Sequence, residues 1–258
     1  MKKQLSSLDL HFLLKELEPL KDSRIDKIYQ PEKDIIIFSL YKTNAGKKLL
    51  KIEIGKLMLI LEEKEEYPEI LGFGQFLRKH LDGYFLADII QIKPERIVKL
   101  TFKAKDDKKY LYIELFGKGN AILCNEHDVI MNSLEHHDFR ERSIKPKLKY
   151  AYPMMAFNLF DLKIENLAEL LKNSSKDTLV KSLATELGLG GLYSEEICLF
   201  SDIDKNTNPK NLNEKQTATI LNSIKKILNK KTDAQVVFDE NNKVIDFAPF
   251  SLEFYKDE

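Results

Sequence analysis

Cysteine and tryptophan are scarce in this sequence. Among its 258 residues there are two cysteines, Cys124 and Cys198, and no tryptophan. The cysteines lie far apart, neither has a second cysteine at the spacing of a zinc-ligand pair, and no secretory context is evident. Neither a disulfide framework nor a zinc site is therefore indicated, and we expect two buried free thiols.

Long apolar runs are also lacking. The sequence is 43% hydrophobic and 32% charged, and it has no run of about 18 apolar residues that would cross a bilayer. Met1-Lys2-Lys3 resembles the start of a signal peptide, but Asp9, Lys15 and Glu16 interrupt the apolar stretch that should follow. We therefore expect a cytoplasmic protein with no membrane partner, long enough to form two domains.

An excess of charge of one sign is absent too, because 41 basic side chains balance 41 acidic ones. Residues 1–150 carry 28 basic and 24 acidic side chains, a net charge of +4, which leaves 13 and 17, a net charge of −4, for residues 151–258. This asymmetry permits a polyanionic partner for the first half of the chain without requiring one.

The sequence begins with a helical pattern and continues with short strands. Leucines at helical spacing predict a helix over residues 6–20, and Ser6 with Asp9 three positions later predicts a capping box. A second helix is expected from about Tyr67-Pro68-Glu69 to Leu81. Between the two helices, four apolar segments separated by turn residues predict an antiparallel meander: residues 24–30, 34–41, 48–55 and 56–62.

Residues 84–135 predict a second group of hairpins. Val98, Leu100 and Phe102 alternate with basic or polar residues, which predicts one buried sheet face and one basic face. Residues 106–109 and 116–120 are the expected turns. A basic loop over residues 140–149 follows, and we take it as the end of a first domain that covers residues 1–155.

Residues 156–258 predict a second, mainly helical domain with a strand hairpin near its end. The predicted helices cover residues 164–172, 177–187, 194–200 and 214–230. Gly188, Gly190 and Gly191 lie between two of them, where backbone N–H groups at a helix start can hold a phosphate. The alternative is an ordinary glycine helix end, and Glu195 and Glu196 would repel a phosphate there.

Motifs for catalysis are missing. The sequence has no GxSxG, no GxxxxGK[ST], no HExxH and no calcium loop. His136-His137-Asp138 lacks a spaced third ligand, so we expect no metal. From these patterns we expect neither an enzyme nor a small-molecule substrate or cofactor.

Seven segments together carry a resemblance to one family: LDL at 8–10, RIDKIYQP at 24–31, FLRKHLDG at 76–83, ERIV at 95–98, YIELFGKGN at 112–120, YAYP at 150–153 and LGLGGLYSEE at 187–196. With these segments the chain resembles the NFACT family, the ribosome-associated quality-control factors called RqcH in prokaryotes and NEMF in animals, whose bacterial members were also described as fibronectin-binding proteins. The LGLGGLYSEE segment resembles the archaeal type.

The resemblance implies an α+β fold. Its first domain would be akin to the β-rich N-terminal domain of formamidopyrimidine-DNA glycosylase, and its second would be a helix-hairpin-helix domain. Glycosylase activity is not expected, because Lys2 and Lys3 stand where those enzymes expose a proline nucleophile followed by glutamate. Family members continue into a coiled coil and a C-terminal RNA-binding domain, which we expect to be absent from this fragment.

The resemblance also implies a function. A family member binds a large ribosomal subunit that carries a stalled peptidyl-tRNA and recruits tRNA, in prokaryotes mainly tRNA-Ala, to extend the nascent chain without a template. The acidic-Arg pair needed for recruitment falls on Glu95 and Arg96, where Glu replaces the usual Asp. Other family positions fall on Asp9, Glu114 and Leu115. Further candidate tRNA contacts are Arg78, Lys79, His80, Lys118 and Asn120, and candidate phosphate contacts are Arg140, Arg142, Lys145, Lys147, Gly188, Gly190 and Gly191.

Two other classes remain open from the sequence. One is an adhesin-type module that binds extracellular matrix protein, and the other is a generic nucleic-acid binder that grips the backbone through the glycine hairpin. A tRNA factor should prefer folded tRNA to random RNA or DNA, whereas a generic binder should not.

Overall fold

An antiparallel sheet dominates the first part of the chain. The computed structural model describes residues 4–62, 67, 72–138, 142–153 and 157–256. Within these ranges nine strands pair in the order β4-β3-β2-β1-β5-β6-β7-β8-β9. The strands are β1 (Ser23–Glu32), β2 (Ile35–Lys42), β3 (Gly46–Glu53), β4 (Leu57–Leu61), β5 (Phe85–Gln91), β6 (Ile97–Ala104), β7 (Asp107–Glu114), β8 (Asn120–Asn125) and β9 (Ile130–Ser133). The α+β class expected from the sequence is confirmed.

Two helices accompany this sheet. Helix α1 (Ser7–Leu17) is followed by a 3-10 turn, Glu18–Leu20, because Pro19 cannot continue the α-helical hydrogen bonding. Helix α2 (Gly72–Leu81) ends where the sequence predicts. Pro68 and Glu69, where its start was predicted, lie outside the described residues.

The sheet consists of two meanders joined by a short seam. The predicted meander β1–β4 is confirmed, as is the hairpin-rich segment β5–β9. Between β1 and β5, however, the register covers only Ser23 with Leu86 and Arg24 with Phe85. Beyond this seam α2 lies along β1, where the Arg78 Nε donates to the Ile28 carbonyl at 2.6 Å. No local pattern predicted this seam, because it joins residues about 60 positions apart.

The prediction of one buried and one basic sheet face is wrong for the middle of β7. Tyr112 is fully buried, as are Leu111 and Ile113 beside it in the strand. Later residues cover the second face and form a core of their own, which contains Ile97, Tyr112, Ile122, Cys124, Ile130, Ile144 and Tyr150. The turn predicted at 106–109 is also shorter than expected, since β7 already begins at Asp107 and Lys105 has a positive φ of 50°.

The remaining elements form a helical unit. It contains α3 (Ile164–Asn173), α4 (Leu179–Thr185), α5 (Gly191–Ser201), α6 (Glu214–Leu228), and the hairpin of β12 (Gln235–Phe238) and β13 (Val244–Ala248). The short strands β10 (His137–Asp138) and β11 (Ser143–Ile144) precede it. Leu8 and Phe12 of α1 belong to the core of this helical unit.

The chain divides into two compact units. One contains residues 13–154, and the other contains residues 1–12 and 155–258. They differ from the predicted domains at the N-terminus, because the first half of α1 carries apolar side chains into the helical core. The domain boundary at residue 155 itself stays a prediction.

The two cysteines are free and buried, as predicted. Burial raises the pKa of the Cys124 thiol and that of the Cys198 thiol to about 12 each. Both are therefore protonated packing groups at neutral pH. Across the described ranges, no helix combines the length and apolarity needed to span a bilayer.

Candidate nucleic-acid interface

Two loops meet at one end of the sheet. Because consecutive strands are antiparallel, the β5–β6 loop (residues 92–96) and the β7–β8 loop (residues 115–119) leave the sheet at the same end. The Leu115 N–H donates to the Arg96 carbonyl at 2.8 Å and ties them together. We call this region the loop end of the sheet. It gathers Glu95, Arg96, Glu114, Leu115, Lys118 and Asn120.

The Glu95-Arg96 pair sits in a tightly held loop. The Glu95 N–H donates to the Ile92 carbonyl at 2.8 Å, and the Gln91 side-chain amide donates to the Glu95 carbonyl at 3.1 Å. Both Glu95 and Arg96 are half-buried. Burial lowers the pKa of Arg96 while the Glu95 charge acts to raise it; the guanidinium stays charged at neutral pH. The loop thus holds a cation and an acid side by side at the surface.

Glu114 is buried in an ion pair behind this loop. Its side chain is 5% exposed and that of Arg142 is 10% exposed. The two Arg142 amino groups donate to the two carboxylate oxygens at 2.6 and 3.1 Å, and the Tyr150 hydroxyl donates at 2.9 Å. Burial acts to lower the pKa of Arg142, but the hydrogen bond and charge of Glu114 outweigh it and raise that pKa. This forked geometry is the strong form of a carboxylate-guanidinium pair.

The ion pair between Arg142 and Glu114 limits the contacts that either residue can make with tRNA. Arg142 was expected to meet a phosphate, yet its guanidinium is bound to Glu114. Glu114 is 3% exposed and Leu115 is fully buried. Their roles in tRNA binding stay predictions. Because both side chains are buried, Glu114 would act by positioning Arg142, and Leu115 would act by positioning the loop that carries Arg96. Tyr150, which completes the cluster, was missed because it lies 36 residues away in sequence.

The β7–β8 loop is shaped by a close approach of two glycines. Gly119 has φ +73°, and a Cβ placed there would lie 2.2 Å from the Gly55 nitrogen in the β3–β4 turn. Asn120 is 1% exposed, and its side chain binds the backbone of Glu135 through both amide atoms. Asn120 therefore has a structural role, whereas Lys118 is exposed at the tip of the loop.

The cations of α2 lie in a different part of the sheet unit. Arg78 bonds the Ile28 carbonyl and lies over the Tyr29 ring at 5.6 Å, so it is anchored. His80 is half-buried against Phe76 at 4.3 Å, and burial lowers the pKa of His80. Lys79 is exposed beside an open cleft of about 530 Å³ between α2 and β1. Of the three predicted contacts, Lys79 is the most accessible.

Lys147 of the basic loop lies away from the loop end, although Arg142 of the same loop binds Glu114 there. Lys145 pairs with Asp138. The Lys147 N–H donates to Ile130 at the start of β9, next to the opposite end of the sheet. Both side chains are exposed and could reach a phosphate. Their contact with phosphate stays a prediction. Arg140 lies outside the described residues.

Asp9 has a structural role in the helical unit. The predicted capping box is confirmed, with the Ser6 N–H donating to the Asp9 carboxylate at 2.8 Å and the Asp9 N–H donating to the Ser6 hydroxyl at 3.1 Å. The Tyr193 hydroxyl of α5 donates to the same carboxylate at 2.5 Å. Asp9 is 5% exposed. A role in tailing stays a prediction, and in this arrangement it would act through the packing of α1 on α5.

The glycine segment joins α4 to α5. Gly188 and Gly190 have φ values of 77° and 79°. The Gly190 N–H donates to the Ala184 carbonyl of α4 at 3.2 Å, so that group is already engaged. Gly191 is exposed at the start of α5. Phosphate binding by this segment stays a prediction.

The expected repulsion by Glu195 and Glu196 is weaker than the sequence indicated. Glu196 is fully buried, and its carboxylate accepts hydrogen bonds from the Glu253 and Phe254 N–H groups, both at 3.0 Å. Glu195 is paired with Lys205 at 2.9 Å. The Glu196 carboxylate therefore faces the interior, and the Glu195 charge is compensated by Lys205.

The antiparallel sheet with its arginine-bearing loop end, followed by the helical unit, defines an architecture with recognisable relatives. The family model described as NFACT N-terminal and middle domains matches residues 6–258. The chain therefore belongs to the NFACT family, as the sequence resemblance indicated.

Relatives in this family carry names from ribosome quality control. The chain is 29% identical over 272 residues to the archaeal Rqc2 homolog aRqcH of Methanocaldococcus jannaschii, an alignment that covers 99% of this chain and 40% of the relative. It is 30% identical over 193 residues to ribosome quality control complex subunit 2 of Saccharomyces cerevisiae, which covers 72% of this chain and 18% of the relative. The chain thus spans well under half the length of these relatives.

Solved structures support the fold. The N-terminal part of the fibronectin/fibrinogen-binding protein from Streptococcus suis superimposes with a TM-score of 0.75 at 22% identity, covering 97% of this chain and 91% of that one. The fibrinogen-binding protein from Staphylococcus aureus gives a TM-score of 0.79 at 19% identity, covering 98% and 92%. At these identities the likeness concerns the fold alone, and the kinship with glycosylases stays a prediction.

Proposed function

We propose that this chain is the tRNA-facing part of a ribosome-associated quality-control factor. The factor binds the large ribosomal subunit with its stalled peptidyl-tRNA and recruits tRNA, which we take to be tRNA-Ala, for template-independent tailing of the nascent chain. The names of the relatives support the quality-control role. The observation that supports RNA binding is the loop end, where the half-buried Glu95 and Arg96 lie side by side in a loop that Leu115 ties to the neighbouring loop through the Arg96 carbonyl.

The chemistry of this pair suits an unpaired base. A guanidinium stacks on a base or forks to a phosphate, and a neighbouring carboxylate accepts from base amino groups. The hydrogen bonds of the loop hold the backbone of the pair in one conformation, so little backbone entropy is lost on binding. Peptide-bond formation belongs to the ribosome, and in this proposal the protein selects and positions tRNA and is not itself an enzyme.

An electrophoretic-shift titration tests this proposal. The chain is titrated against tRNA-Ala, a non-cognate tRNA and a duplex DNA at two salt concentrations, beside the double variant Glu95→Ala/Arg96→Ala. We expect a preference for tRNA-Ala that the double variant reduces at least about tenfold, since a charge-assisted contact contributes about 1.5–3 kcal/mol. Melting curves of the two proteins should coincide.

The matched control is Glu214→Ala/Lys215→Ala, which removes an adjacent acid-base pair from an exposed stretch of α6. It should bind tRNA as the parent chain does. Equal weak binding to all three nucleic acids, unchanged by the Glu95/Arg96 variant, would contradict the proposal. Immobilised fibronectin serves as a further arm, because binding to it instead of tRNA would favour the adhesin-type alternative.

A further inference from the structure

We propose that the sheet unit carries a stacking site for an unpaired RNA base, centred on Tyr152. This inference rests on the proposed tRNA-binding function and adds to it a second recognition point besides Glu95 and Arg96. The site lies where residues 142–153 cover β6 and β7, among aromatic rings and cations. We call its members the aromatic strip: Phe116, Arg142, Tyr152, Tyr110 and Lys99.

The strip runs from the loop end to Tyr110 of β7, with the buried Tyr112 ring between Tyr152 and Tyr110. The Arg142 guanidinium lies 5.6 Å from the Phe116 ring centre, and one of its amino groups donates to the Ala151 carbonyl at 3.4 Å, next to Tyr152. At the far side, the Lys99 Nζ lies 3.5 Å above the Tyr110 ring centre. These contacts keep positive charge beside the aromatic rings, and surfaces that bind single strands combine positive charge with rings on which bases stack.

Tyr152 is the exposed member above a rigid base. Its side chain is 43% exposed, one of the large apolar groups that the described surface leaves in water. Its ring centre lies 5.7 Å from that of Tyr150 and 6.2 Å from that of Tyr112. Tyr112 and Tyr150 stack on each other at 4.1 Å, and their hydroxyls bind Asp128 and Glu114. The exposed ring therefore rests on two fixed, buried rings.

Charge points to a polyanion as the occupant. Residues 142–153, which carry Tyr152, contain four cations and no carboxylate. Arg142 and Lys145 are paired with Glu114 and Asp138, whereas Lys147 and Lys149 are exposed. A stacking ring beside cations matches a nucleotide, which combines a flat face with a phosphate, and only an unpaired base presents that face. Double-stranded nucleic acid offers the charge without the accessible ring.

The absence of tryptophan from the chain permits a site-specific test. Tyr152→Trp would place the single tryptophan of the protein in the proposed site. We expect a six-nucleotide single-stranded oligoribonucleotide to quench this tryptophan saturably. An abasic oligomer of equal length, with the same phosphates, should quench it at least about fivefold less.

The control is Tyr41→Trp. Tyr41 is 52% exposed near the end of β2, beside Lys47 of β3, and so also lies in basic surroundings but outside the strip. Quenching of Trp at position 41 should be weak. Equal quenching at both positions, equal quenching by the abasic oligomer, or no quenching at position 152 would each overturn the inference.

Binding affinity gives a second readout. Tyr152→Leu should weaken oligonucleotide binding about fivefold or more, because a base-aromatic stack contributes about 1–3 kcal/mol. Tyr152→Phe keeps the ring and should bind within about twofold of the parent chain. Equal affinity of the Leu and Phe variants would overturn the inference.

The outcomes separate this inference from the proposed function. If tRNA-Ala binding depends on Glu95 and Arg96 but not on Tyr152, the stacking site is wrong and the proposed function stands. If the oligonucleotide quenches tryptophan at position 152 while tRNA-Ala is not preferred over duplex DNA, the stacking site stands and the proposed function fails.

Discussion

At the scale of single residues, Glu114 links the strands to the loop end. It accepts hydrogen bonds from Arg142 and Tyr150 in a place that is almost closed to solvent. A carboxylate buried in this way is stable only while its partners remain, since an isolated buried charge costs several kcal/mol. The positions of Arg142 and of the strip around it depend on this one side chain.

Glu114→Gln tests this dependence. The substitution keeps the shape but leaves the Arg142 charge uncompensated, so we expect a loss of about 3–5 kcal/mol in the free energy of unfolding. Urea denaturation of the chain would measure it. The control is Lys181→Ala, which breaks an exposed pair with Asp177 and should cost less than about 0.5 kcal/mol. Similar losses for the two variants would show that the buried pair contributes nothing special.

Residues of this kind are the least predictable from the sequence. Asp9 and Glu114 are carboxylates, and a local pattern assigns carboxylates to the surface. Their burial depends on Tyr193, 184 positions from Asp9, and on Arg142, 28 positions from Glu114. The capping role of Asp9 was predictable because Ser6 lies three residues away. The family motifs single out Asp9 and Glu114 as candidates, whereas their burial could not be predicted from the sequence.

At the scale of elements, the turn at Gly119 decides how the β7–β8 loop lies against the β3–β4 turn. Gly55 and Gly119 approach each other so closely that neither has room for a side chain. The loop that carries Lys118 is therefore braced by backbone on both sides. Its shape is set by steric contact as well as by hydrogen bonds.

Gly119→Ala should destabilise the protein by several kcal/mol, because its Cβ would overlap backbone atoms that cannot move aside. Gly46→Ala is the matched control. Gly46 has the same φ of +73° but open space around it, so only left-handed strain of about 1–2 kcal/mol is expected there. Thermal melting of both variants would compare them, and equal shifts would contradict the close approach.

The junction of α3 and α4 should be sensitive to acid. Burial acts to raise the pKa of Glu186, but hydrogen bonds from Ser174, Ser175 and Ser182 outweigh it and lower that pKa to about 2. The unfolded chain takes up the proton near the ordinary pKa of 4.5. The stabilisation is therefore complete above about pH 4.5, shrinks as the pH falls, and is lost below about pH 2.

The measurement is the difference in unfolding free energy between the parent chain and Glu186→Gln from pH 7 to pH 2. We expect the difference to decrease between about pH 4.5 and 2. Glu169→Gln removes an exposed carboxylate of α3 without touching these hydrogen bonds and serves as the control. A difference that stays constant with pH would contradict the assignment.

Elements were more predictable than residues. Both meanders and the helices of the second half could be read from alternation, helical spacing and turn residues, all of which act over a few positions. The residues that cover the second face of β7 could not be predicted from such local patterns. This covering arises because residues 144–150 return to the sheet and bury Tyr112 on the face that the lysines of β6 had marked as solvent-exposed.

At the scale of the whole molecule, the balance of charge limits how strongly the proposed partner, tRNA, could be bound. The first 150 residues have a net charge of +4, and several of their cations already have partners. If about four phosphates are contacted, the affinity should fall roughly 50- to 150-fold between 50 and 200 mM salt. Titration of tRNA at three salt concentrations would give this slope. A slope near zero would contradict an electrostatic contact.

The seam between β1 and β5 has a consequence for the order of folding. Each meander is built from neighbouring hairpins, whose contacts are local and form rapidly. The seam joins distant residues through a few backbone bonds, among them those of Asp22 with Leu86 and Ile25 with Tyr84. We therefore expect the two meanders to collapse independently. The nine-stranded sheet becomes continuous only in a late docking step, when these few bonds form.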